Sequence, residues 1–230
     1  MASSKTIFFT DSSMNIGGQE LQALQQMSAL QAAGFKTLLL CKPNSAILQR
    51  ANSLGLAAAP IRFRNAFHIP SFRQLLHLVR SQDPVAIISH GSHDALLSVM
   101  VSRWVTLLGG RRIPVLRVKT FQHGYPLSFA YNHLFSKTLT PSHYLRSLFL
   151  VNRSIKPNKI EVLYPGIDFS GLCQADGVLP EHVRQWLDTH PGPVISHGAI
   201  LRGEKGHQVI LNALVAVSYT HLTLPTKRIV

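Results

Sequence analysis

Between residues 5 and 163 the chain repeats one pattern: a short apolar run, a loop, then a segment whose apolar residues recur every three to four positions. The runs 5–10, 37–41, 58–63, 85–89, 114–119, 137–140 and 160–163 read as strands. Residues 19–33, 45–54, 71–81, 92–108 and 141–151 read as helices, with a short helical turn over 131–135. The run 37–41 is apolar almost throughout, as expected when both faces of a sheet are covered. This alternation predicts an α/β fold, a doubly wound parallel Rossmann-like sheet. Ligands of such sheets lie at the carboxyl ends of the strands, so the loops that follow strands are the places to look for chemistry.

The punctuation agrees with the pattern. Gly34 and Gly55 stand where the first two helices need a left-handed residue to end. Asp83-Pro84 breaks the third helix. Ser92 is placed to cap the fourth, with Asp94 complementing its dipole. Pro141 suits the first turn of the fifth, with Thr140 as its cap.

Hydrophobic residues make up 46% of the chain and charged residues 14%, enough apolar material for a large core. The net charge of +13 is unevenly distributed: between Leu21 and Ile160 the acids are Asp83 and Asp94, against seventeen Lys and Arg. Such a surface suits a polyanion, an anionic membrane or a phosphorylated acceptor. The chain lacks a helix-turn-helix, a zinc finger and an aromatic RNA-binding motif, so nucleic acid is not the expected partner. The start of the chain has no signal-peptide core, and no apolar run is long enough to span a bilayer. Cys41 and Cys173 are too few and too far apart for a disulfide framework; reduced thiols in the cytoplasm are expected.

Four loops carry candidate chemistry. Gly17-Gly18-Gln19-Glu20 follows the first strand, and two glycines before a helix leave backbone N–H groups open to an anion. His90 ends the fourth strand, where a ligand group can meet it. His90 and His93 invite a zinc reading, but no third ligand follows at suitable spacing, so no metal is expected. The fifth strand leads into Thr120-Phe-Gln-His123, and His123 can bond a hydroxyl or carry a proton near neutral pH. Finally, 194–196 reads as a short buried strand, 198–206 as a glycine-rich charged loop, and a helix starts at His207. Arg202 and Lys205 there suit a diphosphate. Glu204 positions Lys205 or meets a sugar hydroxyl.

The stretch Leu201-Arg-Gly-Glu-Lys-Gly-His207, before a helix containing Asn212-Ala-Leu214, resembles the donor-domain entry of family 4 glycosyltransferases. Many members carry a further arginine about where Ile200 stands, so Arg202 has to take over its work. Gly17-Gly18-x-Glu20 resembles the family's first-domain glycine loop, which approaches the donor diphosphate from the opposite side of the cleft. Thr120-x-x-His123 resembles the pattern whose histidine lies at the reaction centre. Residues 139–148 look like the segment in which a serine opens a helix, and 159–168 like the signature that closes the first domain, with Asp168 fixing the turn. The resemblance implies a GT-B fold. It also implies sugar transfer from a nucleotide-sugar with retention of configuration, without cofactor or essential metal. The acceptor would be a glycan or glycolipid, such as a lipopolysaccharide core, met in the cytoplasm or at the inner face of its membrane.

On this reading 1–168 is the acceptor-side domain, 169–192 a linker with a short helix over 181–188, and 193–216 the start of the donor domain. Residues 217–226 resemble the translation of a sequencing-library adapter, which makes 217–230 a non-native tail, and the shortened donor domain would leave the chain inactive. Two alternatives stay open: a sugar-nucleotide epimerase on the same double fold, and a basic module that binds nucleic acid or an anionic membrane without catalysis.

Overall fold

The computed structural model describes residues 5–65, 67–122, 124–166, 179–192, 194–199, 201 and 203–218. The chain divides into two compact units, Met1–Phe169 and Ser170–Val230.

The first unit is built on β1 (Thr6–Asp11), β2 (Lys36–Cys41), β3 (Ala58–Pro60), β4 (Ala86–Ser89), β5 (Val115–Val118), β6 (Lys137–Thr140) and β7 (Ile160–Val162). They form one sheet in the order β3-β2-β1-β4-β5-β6-β7, every pair parallel. Five helices connect them: α1 (Gly18–Ala32), α2 (Ala46–Ser53), α3 (Ile69–Gln82), α4 (Ser92–Leu107) and α5 (His143–Leu150). A π-helical turn occupies Ala130–Leu134, where a short helical turn is expected from the sequence. The expected doubly wound sheet is therefore the observed one.

Alternation along the strands assigns the core. Phe8, Leu38, Leu40 and Ile87 share one cluster with Leu75 and Val79 of α3 and with Ala95, Leu97 and Val101 of α4. Ile7, Phe9, Leu39 and Cys41 point the other way, into Ala23, Leu24 and Met27 of α1 and Ile47 and Ala51 of α2. Burial pushes the Cys41 thiol up to about 11, so it is a packed thiol rather than a reactive one. Gly34 (φ +88°) and Gly55 (φ +67°) take the left-handed conformation just past α1 and α2, where an L side chain is strained.

Several local expectations are corrected. The third strand stops at Pro60 rather than residue 63. It lies at the sheet edge, and Pro60 has no N–H to continue the ladder. The cap of α5 is Ser142, whose Oγ accepts from the Leu145 N–H at 3.1 Å, not Thr140. The cap position of α4 is Gly91, where the Asp94 carboxylate accepts from the backbone N–H at 3.2 Å, not Ser92. In the second unit, 194–196 is not a strand, and Ile195 is 63% exposed: among the described residues of that unit there is no strand for it to pair with. That unit contains α6 (Glu181–Thr189), a 3₁₀ turn over Gly203–Lys205 and α7 (His207–Ser218). Asp168, Cys173 and 219–230 lie outside the described residues.

Candidate active site

The sheet order places the topological switch between β1 and β4. The chain runs outward from β1 through β2 to β3, then returns to pair β4 against the other side of β1. The helices that follow β1 and β4 therefore pack on opposite faces of the sheet, and the carboxyl ends of the two strands frame the switch-point crevice, the usual ligand position in such folds. Gly17 is extended and caps α1, its N–H donating to Glu20 Oε2 at 2.8 Å and its carbonyl accepting from Leu21 N at 3.0 Å. A Cβ at Gly18 would meet nothing within 4 Å, so the N-terminal turn of α1 is open to an approaching group.

Beneath this loop lies a polar bridge. Asp94 is fully buried. It accepts from Thr10 Oγ1 at 2.8 Å, Ser12 Oγ at 2.8 Å and the Gly91 N–H, so one side chain of α4 holds the end of β1, the loop after it and its own helix start. Thr10 Oγ1 is also hydrogen-bonded to Ser89 Oγ at 2.8 Å. Gly91 is required by this packing: a Cβ there would stand 2.2 Å from both Asp94 Oδ1 and Ser12 Oγ.

Asp11 ends β1 beside the bridge. Its Oδ1 accepts from Ser13 N at 2.7 Å, and its buried Oδ2 has no hydrogen-bond partner. Burial, with smaller contributions from the Asp94 and Glu20 charges, pushes its carboxyl up to about 7.

His90 is buried, its Nδ1–H directed to the Thr10 carbonyl at 3.3 Å and its ring stacked on Phe9. Burial holds its pKa below the ordinary histidine value, which keeps the imidazole neutral. The structure thus gives His90 the work of tying β4 to β1. Among the described residues no three His, Cys, Asp or Glu side chains gather as metal ligands.

The loop after β5 meets the first loop directly: Thr120 Oγ1 donates to Gln19 Oε1 at 3.0 Å. Arg117 on β5 is buried, donates to Ser92 Oγ at 2.9 Å and lies over the Phe135 ring; Lys119 lies over Phe121. Burial lowers the pKa of both cations. Local pattern does not single out Asp11, Arg117 or the Gln19–Thr120 contact. A polar Thr-Asp pair closing the apolar run Ile-Phe-Phe was the available signal for the first.

His123 and Arg202 lie outside the described residues, and of Glu204 only the backbone is described. Lys205 is exposed at the end of the 3₁₀ turn. Its carbonyl accepts from His197 Nε2 at 2.9 Å, and the His197 and His207 rings meet edge to face at 4.7 Å. Gly206 (φ +76°) makes the turn into α7.

Residues 16–170, more than half of the chain, match the family model Glycosyltransferase Family 4, and the chain belongs to that family. No curated protein sequence matches it. Among solved structures, a glycosyltransferase from Rickettsia africae is similar with a TM-score of 0.72 at 14% identity over 94% of this chain and 58% of its own. HepE of Anabaena, in complex with UDP-glucose, is similar with a TM-score of 0.70 at 16% identity over 92% of this chain and 57% of its own. A UDP-GlcNAc 2-epimerase from Neisseria meningitidis reaches a TM-score of 0.51 at 13% identity, covering 94% of this chain and 63% of its own. These likenesses show the fold, and this chain spans less than two thirds of the length of each.

Proposed function

We propose that this chain belongs to a retaining glycosyltransferase of hexosyltransferase type, which moves a sugar from a nucleotide-sugar to a cell-envelope acceptor such as a lipopolysaccharide core. The observation that carries the reading is the family match over 16–170, with a glycine-led helix start standing at the switch point of the sheet. In this reading 1–168 is the acceptor-side domain and 193–216 the entry to the donor domain. The Gly17 and Gly18 backbone and the Arg202 and Lys205 side chains serve the donor diphosphate, the cations stabilising charge on the departing group. Glu204 orients Lys205 or meets the sugar, and His123 stands beside the acceptor hydroxyl. No cofactor is required.

HepE binds UDP-glucose, so UDP-glucose is the first donor to try. Titration followed by saturation-transfer NMR is expected to show weak saturable binding, as a shortened donor domain implies, that falls at least about tenfold further in Lys205→Ala, since a charge-assisted contact contributes about 1.5–3 kcal/mol. Binding indifferent to that substitution would overturn the donor assignment. A 2-epimer formed from UDP-GlcNAc without added acceptor would favour the epimerase reading.

The same reading places the protein in the cytoplasm against the inner face of the membrane. Among the described residues no helix is long and apolar enough to cross a bilayer. An open cavity of about 620 Å³ at α3 and α4 is lined by Phe67, Ile69, Phe72, Met100, Trp104 and Leu107, together with Arg103. Phe67 and Leu107 are 79% and 77% exposed. Exposed apolar groups amid excess cations suit an anionic lipid surface. Co-sedimentation with phosphatidylglycerol vesicles is expected, falling at least about tenfold in the double variant Phe67→Ser, Leu107→Ser, because each side chain contributes on the order of 1.5–3 kcal/mol when buried. Equal sedimentation of variant and parent would refute this contact.

A further inference from the structure

A second cavity, of about 890 Å³, opens beyond the carboxyl ends of β2 and β3. Its walls include Lys42, Arg62, Arg64 and His68, and among the described residues no carboxylate lines it. Three permanent cations around one hollow repel each other, and an anion in the hollow relieves that repulsion. Phe63 is buried between the exposed Arg62 and Arg64, which fixes the segment while leaving both guanidinium groups on the surface. His68 is held as well. The Ser71 hydroxyl donates to the Arg62 carbonyl at 2.5 Å, so the 2.7 Å contact between Ser71 Oγ and His68 Nδ1 has the imidazole as donor. In the neutral ring His68 Nε2 is then an acceptor, suited to a hydroxyl of the ligand rather than to its anionic oxygens. Gln74 Nε2 donates to the Pro60 carbonyl at 2.8 Å, closing the wall. Arg62 and Arg64, on either side of the buried Phe63, supply two guanidinium forks to the hollow, and Lys42 adds a third cation.

We propose that this cavity binds the phosphoryl group of a phosphorylated sugar, the acceptor of the reaction. Two guanidinium forks suit a dianionic phosphomonoester better than a single carboxylate, and the volume accommodates the attached sugar ring. That this ligand is the acceptor rests on the transferase reading; the binding site itself does not.

The test titrates the whole chain with glucose 6-phosphate, glucose, glucuronate and, separately, UDP. Glucose 6-phosphate is expected to bind at least about tenfold more tightly than glucose or glucuronate. Arg62→Gln combined with Arg64→Gln is expected to remove at least about tenfold of that affinity, corresponding to about 1.4 kcal/mol, while the remote Arg153→Gln has no effect. UDP binding is expected to be the same in all variants. Equal binding of glucose 6-phosphate by the parent and the double variant, or equal binding of glucuronate, overturns the proposal. So does a double variant that loses UDP and glucose 6-phosphate together, because the cavity would then be a nucleotide pocket. UDP binding too weak to detect is what a shortened donor domain gives, and it leaves the phosphosugar result to stand by itself. Both arginines are exposed, so the variants fold, and an unchanged unfolding midpoint confirms it.

Discussion

Asp94→Ala is expected to lower unfolding stability by about 3–5 kcal/mol, because it strands buried donors around a vanished charge. Thr10 Oγ1, Ser12 Oγ and the Gly91 N–H all donate to this fully buried carboxylate. Thr10 is fully buried and gains no water when the side chain is cut back, Ser12 and Gly91 are half-buried, and the void adds its own cost. A domain with about 5–15 kcal/mol in total is left marginal by such a loss. Asp94→Asn keeps the shape and one acceptor, and is expected to cost about half as much or less. The exposed pair of Arg111 with Asp83 at 2.9 Å provides the contrast: Arg111→Ala is expected to cost under about 1 kcal/mol. Urea unfolding of the three variants checks the order. A loss below about 1 kcal/mol for Asp94→Ala would mean that the bridge between β1 and α4 is not what holds the crevice together.

The second large effect concerns pH. The Asp11 carboxyl is raised from 3.8 to about 7 in the folded chain. Between those values the folded state keeps a proton that the unfolded chain has released. Stability therefore falls as pH rises from about 4 to about 7, and is flat on either side of that window. A shift of this size corresponds to a change on the order of 4 kcal/mol. Asp11→Asn removes the titration while keeping an oxygen for the Ser13 N–H. The variant's stability relative to the parent is expected to rise by roughly that amount between pH 4 and pH 8. Unfolding free energies of both proteins at those two values measure it directly, and parallel pH profiles would refute it.

Much of the fold is written in local pattern. The strand over 37–41 is recognisable because every residue after Thr37 is apolar and five residues are too few for a helix. The helix after it is bounded by Ser45 and Gly55. Pattern of this kind also locates loops, and so it finds the Gly17-Gly18 turn, Thr120 and the Lys205 turn without knowledge of which strands are neighbours. The family's glycine loop and its Lys205 segment are legible for the same reason.

Burial and partnership are not local. Asp94 reads as an ordinary first-turn acid, yet it is separated by 84 residues from the Thr10 hydroxyl it binds. His90 reads as a residue open to ligand, until the pairing of β4 with β1 seats it on Phe9. The 194–196 run is apolar enough for a strand, but strands exist only in pairs, and sequence pattern does not say whether a partner is present. Arg62, Arg64 and Lys42 come from loops after two different strands and become one cationic hollow only once β2 and β3 lie side by side. The sequence by itself determined the class of fold, the order of its elements and the loops that face a ligand, because periodicity and turn chemistry act over a few residues. The tertiary structure alone decided which polar groups are buried, which charges converge and which histidine is structural, because desolvation and Coulomb energy depend on neighbours that the chain brings together from afar.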